Sequence, residues 1–534
     1  MSTEGIEALT GANLVADRER AEGARFRGPD PRTGGEGPLA VAEATSGEVA
    51  DAVAAAVEAA PVLAAWTPQR RAEVLRGLAD ALDADGEAII AVADIETALG
   101  RARLSTELAR TSNQLRLFAD VVAEGRYLEA TIDAPNPDVV PPRPDLRRQL
   151  VPLGPVAVFG ASNFPLAFSV PGGDTASALA AGCPVVAKAH PSHPATCERT
   201  ARALRAALTD AGAPPGSLSM VHGQGVEVGS ALVEAPGIAA VGFTGSRAGG
   251  RALHDLAAQR DVPIPVYAEM SSLNPVFVTD GALAARGEEI ADGFLQSMTM
   301  GTGQFCTKPG VLVLPDSAEG ASFAERVAEQ AGAHAGGPLL NGRIASALAE
   351  QLARTRAIDG VEVLAAGEVT ERDGFAARPT VLRVPAERFL AEPDLAAEHF
   401  GPMAVLVTAS PSEQITVAAS LEGQLTATVH TEEDEADKIT ELVEELTRMA
   451  GRVVCNGYPT GVAVTHAMHH GGPYPATTNP LHTSVGSTAI RRFLRPVAYQ
   501  TAPQALLPPA LRDENPLDLP RLLDGAWTTA PVER

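Results

Sequence analysis

AAVGFTGSRAGGRALHDLAAQ, Ala239 to Gln259, passes from an apolar run through a glycine-rich turn into a stretch with helical spacing. A short apolar run that breaks at glycine and gives way to an amphipathic helix is the strand–turn–helix half of a βαβ unit. Glycines in such a turn let backbone N–H groups of the helix's first turn approach an anion. The turn alone is weak support for an anion site, because it is not GxGxxG and a plain βα connection reads the same way.

Outward from this stretch the rhythm repeats. VAVFG (Val156 to Gly160), VVAK (Val185 to Lys188), LSMV (Leu218 to Val221) and VYAEM (Val266 to Met270) are further apolar runs. Between them lie DTASALAAG, with Asp174 as a candidate N-cap, ATCERTARALRAALTDAG ending at Gly212, and GVEVGSALVEA. Continuous apolar strands separated by amphipathic helices predict a doubly wound α/β domain, its parallel sheet covered on both faces. From Asn274 a second series follows: NPVFV, a helix around Glu288 to Met300, VLVLP, helices near Ala321 to Ala331 and Ala345 to Arg354, AVLVT, LTATVH, a charged helix over Glu432 to Met449, and RVVCNG. A second α/β domain is the simplest account. Upstream, Asp51 to Thr97 is helical, with Val74, Leu75, Leu78 and Leu82 on one stripe and Gly100 as a stop signal. APNPDVVPPRPDLRR, Ala134 to Arg148, holds too many prolines for a helix and reads as an extended connector. The tail from Thr465 reads as loops apart from a strand near Phe493 to Tyr499.

The 534 residues suffice for several domains, and 45% apolar residues can fill their cores. A formal net charge of -24 repels nucleic acid and anionic lipid. The acidic, polar N-terminus lacks the pattern of a secretory signal, and no apolar run approaches membrane-spanning length, so the expectation is a cytoplasmic protein. The four cysteines, Cys183, Cys197, Cys306 and Cys455, are widely spaced and suit neither a zinc site nor a disulfide scaffold; no metal is expected.

In an open parallel sheet the ligand crevice lies beyond the carboxyl ends of the strands, where helix N-termini point positive dipoles. The polar residues there are Ser162 and Asn163, Lys188 and His190, Thr244 and Ser246, and Glu269. Each alone is more often a solvated loop residue than a catalyst; their convergence on one edge is the signal. Cys183 and Cys455 lie in or beside apolar runs and fit inert buried thiols, and Cys197 sits on a helix. Cys306, in GTGQFCTKPG, lies in a glycine-flanked loop that can present both the sulfur and its own N–H.

Together these motifs resemble the aldehyde dehydrogenase superfamily over nearly the whole chain, from about Val41 to Pro508. GQFC resembles its nucleophile loop, SNFP at Ser162 to Pro165 its asparagine motif, AEMSSLNP its general-base segment, FTGSRAGG its cofactor turn and EHFGP at Glu398 to Pro402 its nicotinamide-ribose segment. FGASNFPLAFSVPGGDTASALAAGCPVVAKAH, HGGPYPATT and TSVGSTAIRRFLRPVAYQ are similar to the subgroup that contains 2-oxoglutarate semialdehyde and fatty aldehyde dehydrogenases.

The resemblance implies that Cys306 attacks an aldehyde to give a thiohemiacetal and then a thioester. Asn163 and the Cys306 N–H would hold the oxyanion, and Glu269 would activate water. Lys188 would bind the adenosine ribose, with Lys188, Ser192 or His193 near a 2'-phosphate, while Thr244, Gly245, Ser246 and Gly250 would meet the pyrophosphate and Glu398 and Phe400 the nicotinamide ribose. Phe164, Phe168, Phe305, Thr307 and Pro459 would line the substrate tunnel, where an Arg or Lys would favour a carboxylate-bearing semialdehyde over a long-chain aldehyde. NAD-preferring relatives usually carry a glutamate three residues after the lysine; here Pro191 stands there, which places NADP ahead of NAD. Glu269 and Cys306 are 37 positions apart, a little more than is common in the family. The implied arrangement is a cofactor domain over 1–133 and 151–268, a catalytic domain over 269–464, an oligomerisation flap over 134–150 and 482–500, and a tail over 501–534, assembled as a homodimer or homotetramer. The expected reaction is oxidation of 2,5-dioxopentanoate to 2-oxoglutarate; the alternatives are a fatty aldehyde, a CoA-acylating reaction, or a non-catalytic relative.

Overall fold

The structure, a computed structural model, describes residues 5–371 and 373–533. Five parallel strands stand in one sheet in the spatial order Val266–Glu269, Ala240–Thr244, Val156–Phe159, Val185–Lys188, Leu218–Val221. They are the five apolar runs of the first series. Asn13–Val15 and Arg18–Arg20 extend this sheet antiparallel beyond Leu218–Val221. Helices cover both faces: Val158, Val185 and Ala187 pack into a core with Leu75, Leu78, Leu204 and Phe118, while Ala157, Phe159 and Val186 face Val49, Val53 and Leu232. Alternate residues of one strand thus enter two cores, which is why the runs read as unbroken apolar stretches.

A second sheet takes the order Glu362–Ala365, Thr380–Pro385, Met403–Ala409, Val311–Pro315, Val276–Val278, Gln424–His430, Ala450–Cys455, parallel except at its first pair. The helix Asp280–Thr299 that covers it breaks at Arg286, whose φ and ψ of -140° and 21° are non-helical.

A third sheet pairs Leu146–Pro152 with Leu494–Gln500 in antiparallel register from Leu146↔Gln500 to Pro152↔Leu494. It continues through Thr131–Asp133 to Arg521–Leu523 and Ala526–Thr528. The last segment of the chain therefore supplies two strands where sequence predicts loops. They are only three residues each, and their turn, Asp524–Gly525 with φ of 45° and 86°, is the Asp-Gly hairpin signal.

Three local expectations change. The chain leaves its helix at Ala98, which takes a left-handed φ of 54°, and Gly100 instead precedes the next helix, Arg101–Glu124. Asp174 lies inside helix Gly173–Ala181, whose cap position is Gly172, and its carboxylate accepts from Arg492 Nη1 at 2.7 Å. Cys455 is exposed, because it ends the edge strand of the second sheet. No helix among the described residues is long and apolar enough to cross a membrane.

Candidate active site

The loop after strand Val156–Phe159, the end of strand Val266–Glu269, and the segment after helix Asp280–Thr299 deliver Asn163, Glu269 and Cys306 to one place. Gly301, Thr302 and Gly303 all take positive φ, between 57° and 68°, which turns the chain sharply ahead of Cys306. At Gly303 a Cβ would stand 2.2 Å from the Gly401 carbonyl oxygen, so the nucleophile loop and the EHFGP segment touch backbone to backbone. Asn274, itself at φ 48°, donates from Nδ2 to the carbonyls of Cys306 (2.8 Å) and Lys308 (3.1 Å) and so fixes the peptide that carries the sulfur. Asn163 Nδ2 donates to the Gln304 carbonyl at 3.0 Å, two residues before Cys306.

His470, which opens HGGPYPATT, stands between the thiol and the carboxylate. Its Nε2 lies 3.5 Å from Cys306 Sγ and 2.9 Å from Glu269 Oε1. Sequence gave this residue no role: a histidine separated from Glu269 by 201 positions carries no local mark. What places it is backbone pairing. Met270 N–H donates to the Ala476 carbonyl and Thr478 N–H to that of Ala268, so the segment runs beside the Glu269 strand. Ser484 Oγ donates to Glu269 Oε2 at 2.6 Å and completes the carboxylate's surroundings.

Burial alone would push the Glu269 carboxyl up, but His470 beside it and hydrogen bonds from His470, Ser484 and Cys306 outweigh this and hold it below the ordinary range. Burial, and after it the adjacent Glu269 carboxylate, push the Cys306 thiol well above its ordinary value. The resting pair is thus carboxylate and neutral thiol. Cys183 and Cys197, both buried, are pushed up to about 11 and about 12 by burial and suit inert thiols.

Three of the residues expected to line the tunnel form an aromatic wall. Phe164 packs edge-on against Phe168 (centroids 5.3 Å apart) and Phe305 (4.9 Å), and Phe168 lies 6.3 Å from the His470 ring. Thr307 is buried next to Cys306 in sequence, and Pro459 is buried with its carbonyl accepting from Arg452. Two arginines of helix Arg101–Glu124 stand over the aromatic rings. Arg103 Cζ is 4.8 Å from the Phe305 centroid and 5.1 Å from that of Phe164, and Arg110 Cζ is 5.2 Å from that of Phe168. The periodicity of Leu104, Leu108, Leu115, Phe118 and Val122 marks this helix in the sequence, but not what its other face meets.

On the first sheet, Lys188 ends its strand in a partly buried position, and burial pulls its ammonium down to about 8. Ser192 is 5% exposed, and its Oγ accepts from Asn341 Nδ2 at 3.0 Å, at the N-terminus of helix Gly342–Arg356. Thr244 closes its strand, and Ser246 caps helix Arg247–Ala258 by accepting from the Gly249 N–H at 3.2 Å. Gly245 to Ala248 are exposed, and at Gly250 a Cβ would stand 2.7 Å from Met270. An exposed helix N-terminus with glycine turns fits a dinucleotide's pyrophosphate. Glu398 accepts from the Ser271 hydroxyl and the Ser272 N–H, and its charge acts on both Lys308 and Cys306; burial raises its carboxyl. Phe400 is half-buried two residues further on.

Residues 20–492 match the aldehyde dehydrogenase family. Alpha-ketoglutaric semialdehyde dehydrogenase 2 of Azospirillum brasilense is 51% identical over 457 residues, 85% of this chain and 87% of its own. Alpha-ketoglutaric semialdehyde dehydrogenase of Acinetobacter baylyi is 44% identical over 491 residues, 91% of this chain and 92% of its own. Among solved structures, betaine aldehyde dehydrogenase of Staphylococcus aureus superposes with a TM-score of 0.81 at 20% identity, covering 94% of this chain and 98% of its own. Aldehyde dehydrogenase C of Pseudomonas syringae, solved with NAD+ and octanal, does so at 0.78 and 22%, covering 92% and 97%. The chain belongs to the aldehyde dehydrogenase family, the NAD(P)-dependent oxidoreductases that act on aldehydes.

Proposed function

We propose that the protein oxidises 2,5-dioxopentanoate to 2-oxoglutarate through a covalent intermediate on Cys306. The observation that carries the substrate is the pair of guanidinium groups, Arg103 and Arg110, over the three phenyl rings of the tunnel. A fatty aldehyde offers such groups nothing to pair with, whereas a carboxylate-bearing semialdehyde does. The names of the 51% and 44% identical relatives support the same substrate.

Cys306 Sγ adds to the aldehyde carbon as its proton leaves toward the Glu269 and His470 pair, 3.5 Å away at His470 Nε2. The oxyanion of the thiohemiacetal is met by Asn163 Nδ2 and the Cys306 N–H, once Asn163 exchanges its present acceptor, the Gln304 carbonyl, for the substrate. Each such donor contributes roughly 3 kcal/mol to the transition state in other enzymes. A bound nicotinamide dinucleotide supplies the hydride acceptor. Glu269, ionised and oriented by His470 and Ser484, then deprotonates the water that resolves the Cys306 thioester, releasing the carboxylic acid. His470 is thus a positioning residue for the base.

Lys188, Ser192, Thr244, Gly245, Ser246 and Gly250 would hold the cofactor's adenosine and pyrophosphate, with Glu398 and Phe400 at the nicotinamide ribose. NADP is favoured over NAD because Pro191, not a carboxylate, stands three residues after Lys188, and because the Arg343 charge also acts on Lys188 and His190. Glu43, whose charge acts on Lys188, accepts from the N–H groups of Gln224 and Gly225. Exposed Val139 and Val140, in the connector that leads to strand Leu146–Pro152, support assembly into a homo-oligomer.

The test is reduced-nicotinamide formation with 2,5-dioxopentanoate against octanal, with and without CoA. The reading expects the acid substrate to give the larger kcat/KM and CoA to change nothing. A preference for octanal would overturn the substrate, and dependence on CoA would overturn hydrolysis as the second step.

A further inference from the structure

The two arginines over the tunnel are not equivalent. Arg103 is the more tightly held: its Nη1, like that of Arg110, is buried with no hydrogen-bond partner, but its Nη2 donates to the Asn163 carbonyl at 2.6 Å, Glu107 lies 4.0 Å away, and its guanidinium spans the Phe164 and Phe305 rings. It serves the backbone of the oxyanion residue. Arg110 lies seven positions further along the same helix, hence on the same face. Its Nε and Nη2 reach the Val462 carbonyl only at 3.5 Å each, the outer limit of a hydrogen bond, and its Nη1 is buried with no hydrogen-bond partner. A guanidinium cannot shed its charge to relieve this. A buried N–H donor without an acceptor costs free energy that a bound acceptor would restore.

The surroundings say where that acceptor would come from. The Arg110 guanidinium rests on Phe168, Phe168 is the neighbour of His470, and His470 Nε2 is 3.5 Å from Cys306 Sγ. One phenyl ring therefore separates the Arg110 cation from the histidine at the reacting sulfur, and its charge interacts first with the buried Glu107 of its own helix and then with Cys306 and Glu269. We propose that Arg110 binds the distal carboxylate of the substrate and makes the tunnel selective for short-chain ω-oxo acids. The inference rests on the substrate class given above and names the residue that reads it. A planar fork with one unpartnered nitrogen, Nη1, and two weakly held ones, Nε and Nη2, suits a carboxylate, which takes two parallel hydrogen bonds.

Two aldehydes that differ only in the carboxylate isolate the contact: 5-oxopentanoate and pentanal. The quantity read is the ratio of their kcat/KM values in wild type, Arg110→Met and Arg110→Lys, with cofactor affinity by titration calorimetry as the measure of an intact fold. Arg110→Met should lower the ratio at least 50-fold, mostly through KM for 5-oxopentanoate, because the contact is made in ground and transition states alike. Arg110→Lys, which keeps the charge and loses the fork, should recover part of it. A ratio within threefold of wild type in Arg110→Met, or an equal loss on both aldehydes, would overturn the assignment while leaving the substrate class standing. A wild-type enzyme that prefers pentanal would overturn both.

Discussion

Replacing Glu269 by glutamine should make Cys306 more acidic. The sulfur and a Glu269 carboxylate oxygen lie within 4.8 Å of each other, and Glu269 is buried. Two unit charges at that distance repel by about 3 kcal/mol at an effective dielectric constant of ~20, roughly a hundredfold in the thiol–thiolate equilibrium. The sign follows directly: a negative neighbour disfavours the thiolate, so removing it lowers the thiol value that burial and Glu269 together raise. Below both thiol values the thiolate fraction then grows about a hundredfold. Intrinsic nucleophilicity falls with basicity at a Brønsted slope of about 0.4–0.5, which takes back about tenfold. The net expectation is that iodoacetamide alkylates Cys306 about tenfold faster in Glu269→Gln than in wild type at pH 7, with the midpoint of the rate profile displaced to lower pH. Both are read from the mass of the peptide that carries Cys306, in protein free of cofactor. An unchanged or slower rate with an unmoved midpoint would show that the carboxylate does not act on the thiol, and would remove the electrostatic basis for pairing the two residues.

The remaining expectations follow from the same site. Cys306→Ala should abolish turnover while binding cofactor with wild-type affinity by calorimetry; residual turnover would mean another nucleophile. Asn163→Ala should cut kcat about 10²- to 10³-fold with little change in KM, because its donor acts where charge develops, and a loss confined to KM would place Asn163 in substrate binding alone. His470→Ala removes the neighbour that lowers the Glu269 carboxyl, so the acid limb of the pH–rate profile should move to higher pH; an unmoved limb would deny His470 its positioning role. Gly303→Ala places a Cβ 2.2 Å from the Gly401 oxygen at φ 68°, and should cost more than about 1 kcal/mol, visible as a lowered Tm by calorimetry.

Sequence by itself determined what depends on local chemistry. The apolar runs of the first series became neighbouring parallel strands because a strand buried on both faces must be apolar throughout, and such a run is visible without knowing its partners. Asn163 and Glu269 stood out at strand ends, where the chain must turn toward the crevice, and Cys306 in a glycine-flanked loop, while what the three would do together came from the resemblance of their motifs to a family. The Asp-Gly hairpin that carries the last two strands was legible in principle, since its turn is written in two adjacent residues.

Tertiary structure alone decided the rest. His470 reaches the thiol because the segment around Ala476 pairs with the strand that ends at Glu269, a contact spanning about two hundred residues that leaves no local trace. Asp174 reads as a helix cap until Arg492, 318 positions away, takes its carboxylate. The 37-residue spacing to Cys306 includes a helix broken at Arg286, which no periodicity announces. Arg103 and Arg110 are two cations on a helix whose periodicity reports its buried stripe, and only the tertiary structure stacks them on Phe164, Phe168 and Phe305. Periodicity tells which face of an element leaves water; what that face meets is set by how distant elements stack.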